Sequence, residues 1–145
     1  MDVKIKKLDP RAKIPTYGSA DAAGADLYAL IDEALTIPPH GTELIPTGLS
    51  VEIPQGHVGL IFARSSLGTK RGLAPANKVG VIDADYRGQI MVSLHNHTDE
   101  PQTLEAFERI AQLVLVPLVR AAFHEADELS ETDRGEGGFG STGRK

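Results

Sequence analysis

Short apolar stretches separated by glycine- and proline-containing turns run through most of this 145-residue chain. Turn sequences such as residues 37–41 and 53–56 recur at short intervals. Between the turns, β-branched residues and apolar/polar alternation predict a series of strands, at residues 3–6, 43–53, 57–62, 79–82, 89–94 and 110–119. Many short strands of this kind are typical of a β-sandwich or β-barrel, so we expect an all-β domain.

The last of these segments, residues 110–119, is the most apolar. Gln112 and Pro117 are its only interruptions. A strand this apolar is expected to be covered on both faces. Residues 113–116 are therefore the best candidate for burial against a partner chain.

Composition limits both the compartment and the kind of partner. The chain has no cysteine, so it has no disulfide and no thiolate metal site, which fits a reducing compartment. No apolar run approaches the roughly 18 residues of a membrane span, and the N-terminus lacks the apolar region of a signal peptide. We therefore expect a cytoplasmic protein without membrane contact. A net charge of −5 argues against a nucleic-acid polymer as partner but leaves a small polyanion open.

The C-terminal segment 134–143 is half glycine and also carries an aromatic ring, two hydroxyls and an arginine. Such a composition is usual for a disordered tail. It also suits a lid that orders over a nucleotide, with backbone N–H groups and Arg134 facing phosphate and Phe139 facing a base. We expect one β domain over residues 1–133 and a flexible lid segment over residues 134–145.

The segments 79–82 and 89–94 predict a β-hairpin, and the stretch between them is rich in charge. Asp83, Asp85 and Tyr86 follow directly after the first apolar segment. A carboxylate held at a strand end can take a proton from water. The alternative is an ordinary hairpin turn, in which Asp and Gly are common.

Three further places could bind an anion or a metal. Arg64 and the serines Ser65 and Ser66 follow a predicted strand and could open a single helical turn, capped by a serine, whose donors converge on a phosphate. An ordinary capped turn is the alternative. Asp26, among small residues, could hold Mg²⁺ through its waters, or it could be a turn residue. Gln112 needs hydrogen-bond partners inside its apolar strand, or it faces a site.

Two other chemistries find no support. The five histidines form no metalloprotease spacing. His95 and His97 would share one strand face, but two histidines are an incomplete zinc site. Neither a G-x-S-x-G hydrolase motif nor a P-loop motif occurs.

Five of these segments, in this order, resemble the motifs of the trimeric dUTPase family and cover most of the chain. They are residues 23–27, 64–68, 80–88, 109–113 and the glycine-rich tail. Each alone is a weak signal, and all five in order are very specific. One departure is Ala63, which stands where many family members have proline and removes no side-chain chemistry.

The resemblance implies a distorted jelly-roll-like β-barrel or sandwich of the β-clip type, with at most one short helix. It also implies a homotrimer with sites at subunit interfaces, which hydrolyses dUTP to dUMP and pyrophosphate with Mg²⁺ as cofactor. This reaction keeps uracil out of DNA and supplies dUMP for dTTP synthesis. In the family pattern, Asp83 activates the attacking water, and Asp26 holds the metal through water.

The resemblance assigns the substrate-binding residues as well. Arg64, Ser65, Ser66 and Gln112 would contact the phosphates. Tyr86 would pack under the deoxyribose and exclude a 2′-hydroxyl. The uracil pocket would be formed by Asn77, Gly80, Val81, Ile82, the backbone of Asp83, and Met91. The lid would contribute Arg134, Phe139, Gly140, Ser141 and Thr142, with Phe139 stacking on uracil.

Two other functions remain as alternatives. A dCTP deaminase, or a bifunctional deaminase-hydrolase, shares the same fold. A non-catalytic nucleotide-binding regulator would use the scaffold to contact protein partners. The tyrosine-bearing segment at Tyr86 and the full tail fit the hydrolase better, and ammonia release from dCTP would separate the two enzymes.

Overall fold

The structure is a computed structural model in which residues 1–138 are described. These residues form short strands and one short helix, as the turn-rich sequence predicts. The elements are β1 (Lys4–Lys7), β2 (Thr16–Tyr17), β3 (Ala25–Tyr28), β4 (Leu35–Ile37), β5 (Thr42–Pro46), β6 (Leu49–Glu52), β7 (His57–Phe62), α1 (Ser65–Arg71), β8 (Leu73–Pro75), β9 (Gly80–Ile82), β10 (Met91–Asn96), β11 (Gln102–Leu104) and β12 (Arg109–Pro117). The all-β fold class is confirmed. Since α1 spans only seven residues, no described helix is long enough to cross a membrane.

The strands pack as sheets around one apolar core. A five-stranded antiparallel sheet has the order β2-β3-β12-β7-β9, and a three-stranded sheet has the order β5-β10-β8. Leu27, Ile61 and Ile110 of the first sheet and Ile45 and Leu94 of the second are buried in the same cluster. Among the described residues each sheet stays open, so the arrangement is a sandwich and not a closed barrel.

The predicted hairpin between residues 79–82 and 89–94 is wrong. Strand β9 pairs with β7, whereas β10 pairs with β5 and β8 in the other sheet. The connecting segment is held by a third element, because Ser50 Oγ in β6 donates to the carbonyl of Arg87 at 2.7 Å. The chain therefore crosses from one sheet to the other between the two strands, and the charged turn lies at the crossing.

Helix α1 forms where one turn was predicted, but its cap differs. The N-cap is Arg64, with extended dihedrals (φ −83°, ψ 139°), and no side chain caps the helix. Both serines lie inside the first turn, so neither can act as the cap. At the other end Gly72 adopts φ +62°, and its N–H donates to the carbonyl of Leu67.

Strand β12 has one buried face and one partly covered face. Ile110, Ala111 and Leu113 are buried, whereas Val114 and Val116 are half-buried. The inner face therefore matches the expectation from the apolar run. Cover for the outer face from a partner chain stays a prediction.

An exposed ion pair near the N-terminus gives a testable pH effect. Arg11 Nη2 lies 2.7 Å from Asp9 Oδ2, and the Arg11 side-chain and backbone hydrogen bonds lower the pKa of Asp9 from 3.8 to about 2. A lowered pKa stabilises the fold above pH 3.8, and the effect is lost as the pH falls through about 2. In Arg11→Gln we expect the pKa of Asp9 to rise toward 3.8, measured by NMR titration of the carboxyl group. An unchanged pKa would show that the backbone N–H alone sets it.

Candidate active site

Most of the predicted site residues fall into two separate clefts. The first, here called the Asp83 cleft, has a volume of about 250 Å³ and is lined by Val81, Ile82, Asp83, Tyr86, Gln89 and Met91. The second, the Asp26 cleft, has a volume of about 210 Å³, and its polar lining is Asp26, Arg64, Ser65, Arg109 and Gln112. The two clefts share no lining residue. The carboxylate of Asp83 therefore lies in one cleft, and the arginines Arg64 and Arg109 lie in the other.

In the Asp83 cleft an exposed carboxylate stands directly beyond a strand. Strand β9 ends at Ile82, and the carbonyl of Asp83 accepts a hydrogen bond from the Tyr86 N–H at 3.1 Å, which closes a turn. Asp85 does not line this cleft but a different cavity beside His57. Asp83 lines that cavity as well, so the two aspartates share it, and of the two only Asp83 lines the Asp83 cleft.

The ring of Tyr86 is held in place by its neighbours. Its hydroxyl donates to the carbonyl of Gln89 at 2.9 Å. The ring also lies against Gly88, where an added Cβ would come within 2.4 Å of the Tyr86 hydroxyl oxygen. Gln89 is itself anchored, because its Oε1 accepts the Gly48 N–H at 2.8 Å. Tyr86 therefore forms a fixed wall, and Gln89 is a supporting residue that the sequence did not point to.

The other predicted uracil-pocket residues lie along β9 and at the start of β10. Gly80 is buried against Ile61, where an added Cβ would come within 3.1 Å of the Ile61 Cβ. Asn77 lies in the turn before β9, next to Gly80 and outside the lining of the Asp83 cleft. Met91 is half-buried at the edge of the cleft. The structure thus places Met91 and Asp83 in the lining of the same cleft, whereas Asn77 lies outside that lining, in the turn before β9.

The Asp26 cleft is organised around one buried carboxylate. Asp26 Oδ1 accepts from Arg64 Nε at 2.8 Å, and Oδ2 accepts from Arg109 Nη1 at 3.1 Å. Arg64 Nη1 also donates to Ser66 Oγ at 3.2 Å. Two guanidinium groups share a single carboxylate, so this cluster carries one net positive charge. Such a cluster suits an anion with several oxygens.

Gln112 both satisfies its amide and lines the cleft. It is the cross-strand partner of Asp26, and its Nε2 donates to the carbonyl of Ala63 at 2.9 Å. Gly24 makes room for it, since a Cβ there would lie 2.4 Å from Gln112 Oε1. Gln112 therefore has a hydrogen-bond partner inside the sheet and also lines the Asp26 cleft.

Arg109 is the site residue that sequence reasoning missed. It lies in the segment 109–113, and strand alternation would place it on the opposite face from Gln112, three residues later. The pair of apolar residues Ile110 and Ala111 is the one sequence signal against simple alternation. The structure brings Arg109 to Asp26 all the same.

The described part of the tail contains one predicted lid residue. Arg134 is exposed, and its Nε donates to the carbonyl of Gly137 at 2.7 Å within a local turn. The other predicted lid residues lie outside the described residues; they are Phe139, Gly140, Ser141 and Thr142.

The donor set fits a metal ion carried by the substrate and not one caged by protein. Within residues 1–138, no three His, Asp or Glu side chains come together as metal ligands. Each oxygen of Asp26 accepts one arginine hydrogen bond and keeps a further lone pair for a metal-bound water. Mg²⁺ commonly uses one carboxylate together with substrate phosphates in this way.

The two strand histidines do lie together. The ring centroids of His95 and His97 are 4.5 Å apart. Burial, and then the nearby His95, Lys78 and His40, lower the pKa of His97. Thr42 holds the His95 ring through a 2.8 Å hydrogen bond to Nδ1. This pair is far from complete as a ligand set among the described residues.

Comparisons with known proteins agree on one family. The family model described as dUTPase matches residues 10–143. Deoxyuridine 5'-triphosphate nucleotidohydrolase of Burkholderia cenocepacia strain HI2424 is 48% identical over 145 residues, covering 99% of this chain and 98% of the relative. The enzyme of the same name from Enterobacter sp. strain 638 is 49% identical and covers 100% and 97% of the two chains. Among solved structures, Staphylococcus bacteriophage 80alpha dUTPase with dUPNHPP superposes with a TM-score of 0.89 at 29% identity, covering 98% of both chains.

Proposed function

The chain belongs to the dUTPase family, and on that basis we propose that it hydrolyses dUTP to dUMP and pyrophosphate. The observation that carries the proposal is the pairing of a free carboxylate in one cleft with a surplus of positive charge in the other. A reaction at phosphorus needs these two elements and no covalent nucleophile, because positioning and charge neutralisation provide most of the catalysis.

In this proposal Asp83 is the general base. Its exposed carboxylate stands at the end of β9, where it accepts a proton from the water that attacks the α-phosphorus. The bond to the bridging oxygen then breaks, and pyrophosphate leaves. The turn closed by the Tyr86 N–H holds the backbone of Asp83 in place.

Tyr86 is proposed as the wall that selects deoxyribose. An apolar pocket rejects an added hydroxyl only weakly, so a fixed obstacle is more effective. The hydrogen bond to Gln89 and the contact with Gly88 supply this rigidity. Uracil would lie along β9 between Asn77 and Met91, where the backbone N–H and carbonyl groups of 80–83 can read its edge.

The phosphates are assigned to the Asp26 cleft. Arg64, Ser65, Ser66 and Gln112 would bind them, with Asp26 orienting Arg64. Mg²⁺ bound to the triphosphate would neutralise phosphate charge, and Asp26 would hold it through water. From the tail, Phe139 would stack on uracil, while Arg134, Gly140, Ser141 and Thr142 would close over the phosphates.

The distance between the clefts supports sites shared between copies. Asp26 lies on β3 and Asp83 follows β9, and the strands β12 and β7 separate these two in the sheet. Three strand spacings amount to about 14 Å. One nucleotide cannot place its α-phosphorus at Asp83 and its next two phosphates at Asp26 across that gap. We therefore propose that each site combines the Asp83 cleft of one copy with the Asp26 cleft of another, in a homotrimer.

Unpaired apolar surface supports the same assembly. The outer sheet face between the clefts carries half-buried Leu60 and Val114, next to Val81, which is 60% exposed. Beyond β12, Val119 and Phe123 are both 95% exposed. Neighbouring apolar side chains such as Leu60, Val114 and Val81, when they are partly or fully exposed, are typical of an interface. A partner copy would cover them.

A substrate panel tests the function. With Mg²⁺, we expect pyrophosphate release from dUTP with a kcat/KM at least about 100-fold above that for dCTP, dTTP and UTP, the range that pocket contacts and steric exclusion provide. Pyrophosphate would be measured by a coupled phosphate assay, and ammonia release would be followed in parallel. Ammonia from dCTP would replace this proposal with the deaminase, and no turnover of any nucleotide would leave a binding function.

A further inference from the structure

We propose that Arg109 is a phosphate-binding residue that contacts the pyrophosphate part of the nucleotide directly. This inference rests on the proposed function, because it assumes that the Asp26 cleft takes the phosphates. It assigns a role to one side chain of the segment 109–113 to which the family resemblance gave none. The chemistry recognised is a dianionic or more highly charged pyrophosphoryl group.

A β-bulge places Arg109 in the cleft. Along the β12–β3 pair, Arg109 stands opposite Tyr28 and Ala111 stands opposite Leu27, so two steps on β12 match one step on β3. The residue left over is Ile110. Both Ile110 and Ala111 are fully buried, which means that two consecutive side chains point into the core. Bulges of this kind re-aim a side chain, and they are frequent beside active sites.

The consequence of the bulge is a change of face. Without it, Arg109 and Gln112 would point to opposite sides of the sheet. With it, Arg109 joins Asp26 and Gln112 on the outer face, and its Nη1 reaches Asp26 Oδ2. The inward burial of Ile110 stabilises this arrangement, so the face of the sheet on which Arg109 lies is set by the core.

Arg109 also has free donor capacity, in contrast to Arg64. The Arg64 side chain is 20% exposed and donates to both Asp26 and Ser66. The Arg109 side chain is 50% exposed, and Asp26 is its one acceptor within the described residues. A guanidinium has five N–H donors in a fixed fork. Arg109 can therefore keep its bond to Asp26 and present further N–H groups to phosphate oxygens.

The net charge of the Asp26 cleft also supports a direct contact between Arg109 and phosphate. Asp26 neutralises one of its two arginines, so the second positive charge has no carboxylate partner in this cluster. Arg64 is the more buried of the two and is held on both sides. The surplus charge is thus presented by Arg109. Because the α-phosphorus is assigned to Asp83, the group that meets Arg109 is the leaving pyrophosphate.

The test measures binding of inorganic pyrophosphate with Mg²⁺ to the full-length protein by calorimetry. We expect Arg109→Gln to weaken this binding by about tenfold or more, the loss typical of a hydrogen bond to a charged group. Binding of dUMP should change by less than about twofold, because dUMP lacks the pyrophosphoryl group. Lys6→Gln, which removes one charge from the exposed strand β1, is the matched control and should bind like wild type. Pyrophosphate binding by Arg109→Gln at wild-type strength would overturn the proposal.

A second comparison separates direct binding from an effect through Asp26. In an Asp26→Asn background, a direct phosphate contact predicts that Arg109→Gln still weakens pyrophosphate binding. If the added effect disappears there, Arg109 acts only by holding Asp26, and the proposal is wrong. Circular dichroism shows whether each variant is folded, and Arg109→Lys retains the charge if Gln is unstable. Failure of the wild type to release pyrophosphate from dUTP would instead overturn the proposed function. The binding assay is independent of that result, because it does not measure turnover.

Discussion

Replacing Asp83 with asparagine should lower kcat for dUTP by about 100- to 10,000-fold, the contribution typical of a general base. Asparagine has nearly the same shape but cannot accept the proton of the attacking water. Asp83 is exposed beyond the end of β9, so the substitution should not disturb the fold. Pyrophosphate release under saturating dUTP measures the effect.

Asp85 supplies a matched control for this experiment. It is the same residue type two positions later and lines the cavity beside His57 together with Asp83, but it does not line the Asp83 cleft. Asp85→Asn should therefore keep kcat within about threefold of wild type, as expected for a residue outside the site. The binding of a non-hydrolysable dUTP analogue should survive in Asp83→Asn. Equal turnover of wild type and Asp83→Asn would remove Asp83 from the mechanism.

The longer strands could be predicted because their signals are local, whereas short ones such as β2, β4, β8 and β11 were not predicted. Residues 57–62 were expected as a strand and form β7 with the same bounds. The segment 43–53 contains Pro46 and Gly48, and the structure divides it there, because β5 ends at Pro46 and Gly48, at φ +69°, directly precedes β6. In both cases β-branched residues and backbone constraints act on their own neighbours, so no distant contact is needed.

The pairing of strands could not be predicted in the same way. The segment after β9 has the composition of a hairpin turn, yet Ser50, which precedes it by more than thirty residues, anchors the backbone of Arg87. That contact joins the segment to β6, whose partner in its sheet is β1. Local turn composition therefore indicates a change of direction without indicating which sheet the chain enters next.

The candidate site shows the same limit at the level of single side chains. Asp26, Arg64 and Gln112 were each found by residue type, and the structure brings them to one cleft. Arg109 was missed because a bulge reverses the face expected from strand alternation. The bulge depends on burying Ile110, and burial is a property of the packed core. The charge of Arg109 and its position in the sequence therefore do not by themselves predict the bulge.

Two inactive variants should restore activity when they are assembled together. Asp83→Asn removes the proposed general base, and Arg64→Ala removes a proposed phosphate ligand that is also bonded to Asp26. If each site combines the Asp83 cleft of one copy with the Asp26 cleft of the next, random mixed trimers contain some sites with both clefts intact. At equal amounts, about a quarter of all sites in the unpurified mixture meet both conditions, which is about one site in three within the mixed trimers, as follows for a heterologous ring interface. Co-expression with two affinity tags and sequential purification isolates the mixed trimers for the pyrophosphate assay.

The fraction recovered discriminates between two arrangements of the site. Were both clefts of one chain to serve the same nucleotide, every copy in the mixture would carry a defect, and activity would stay at the level of the separate variants. The separation of β3 from β9 by two strands argues against that arrangement. A third preparation, Asp83→Asn mixed with the Asp83→Asn/Arg64→Ala double variant, has no intact Asp83 cleft and should stay inactive although it assembles equally well. Recovery in the first mixture but not in this one can arise only if the carboxylate and the phosphate ligands come from different copies, because the two mixtures differ in nothing but the supply of Asp83.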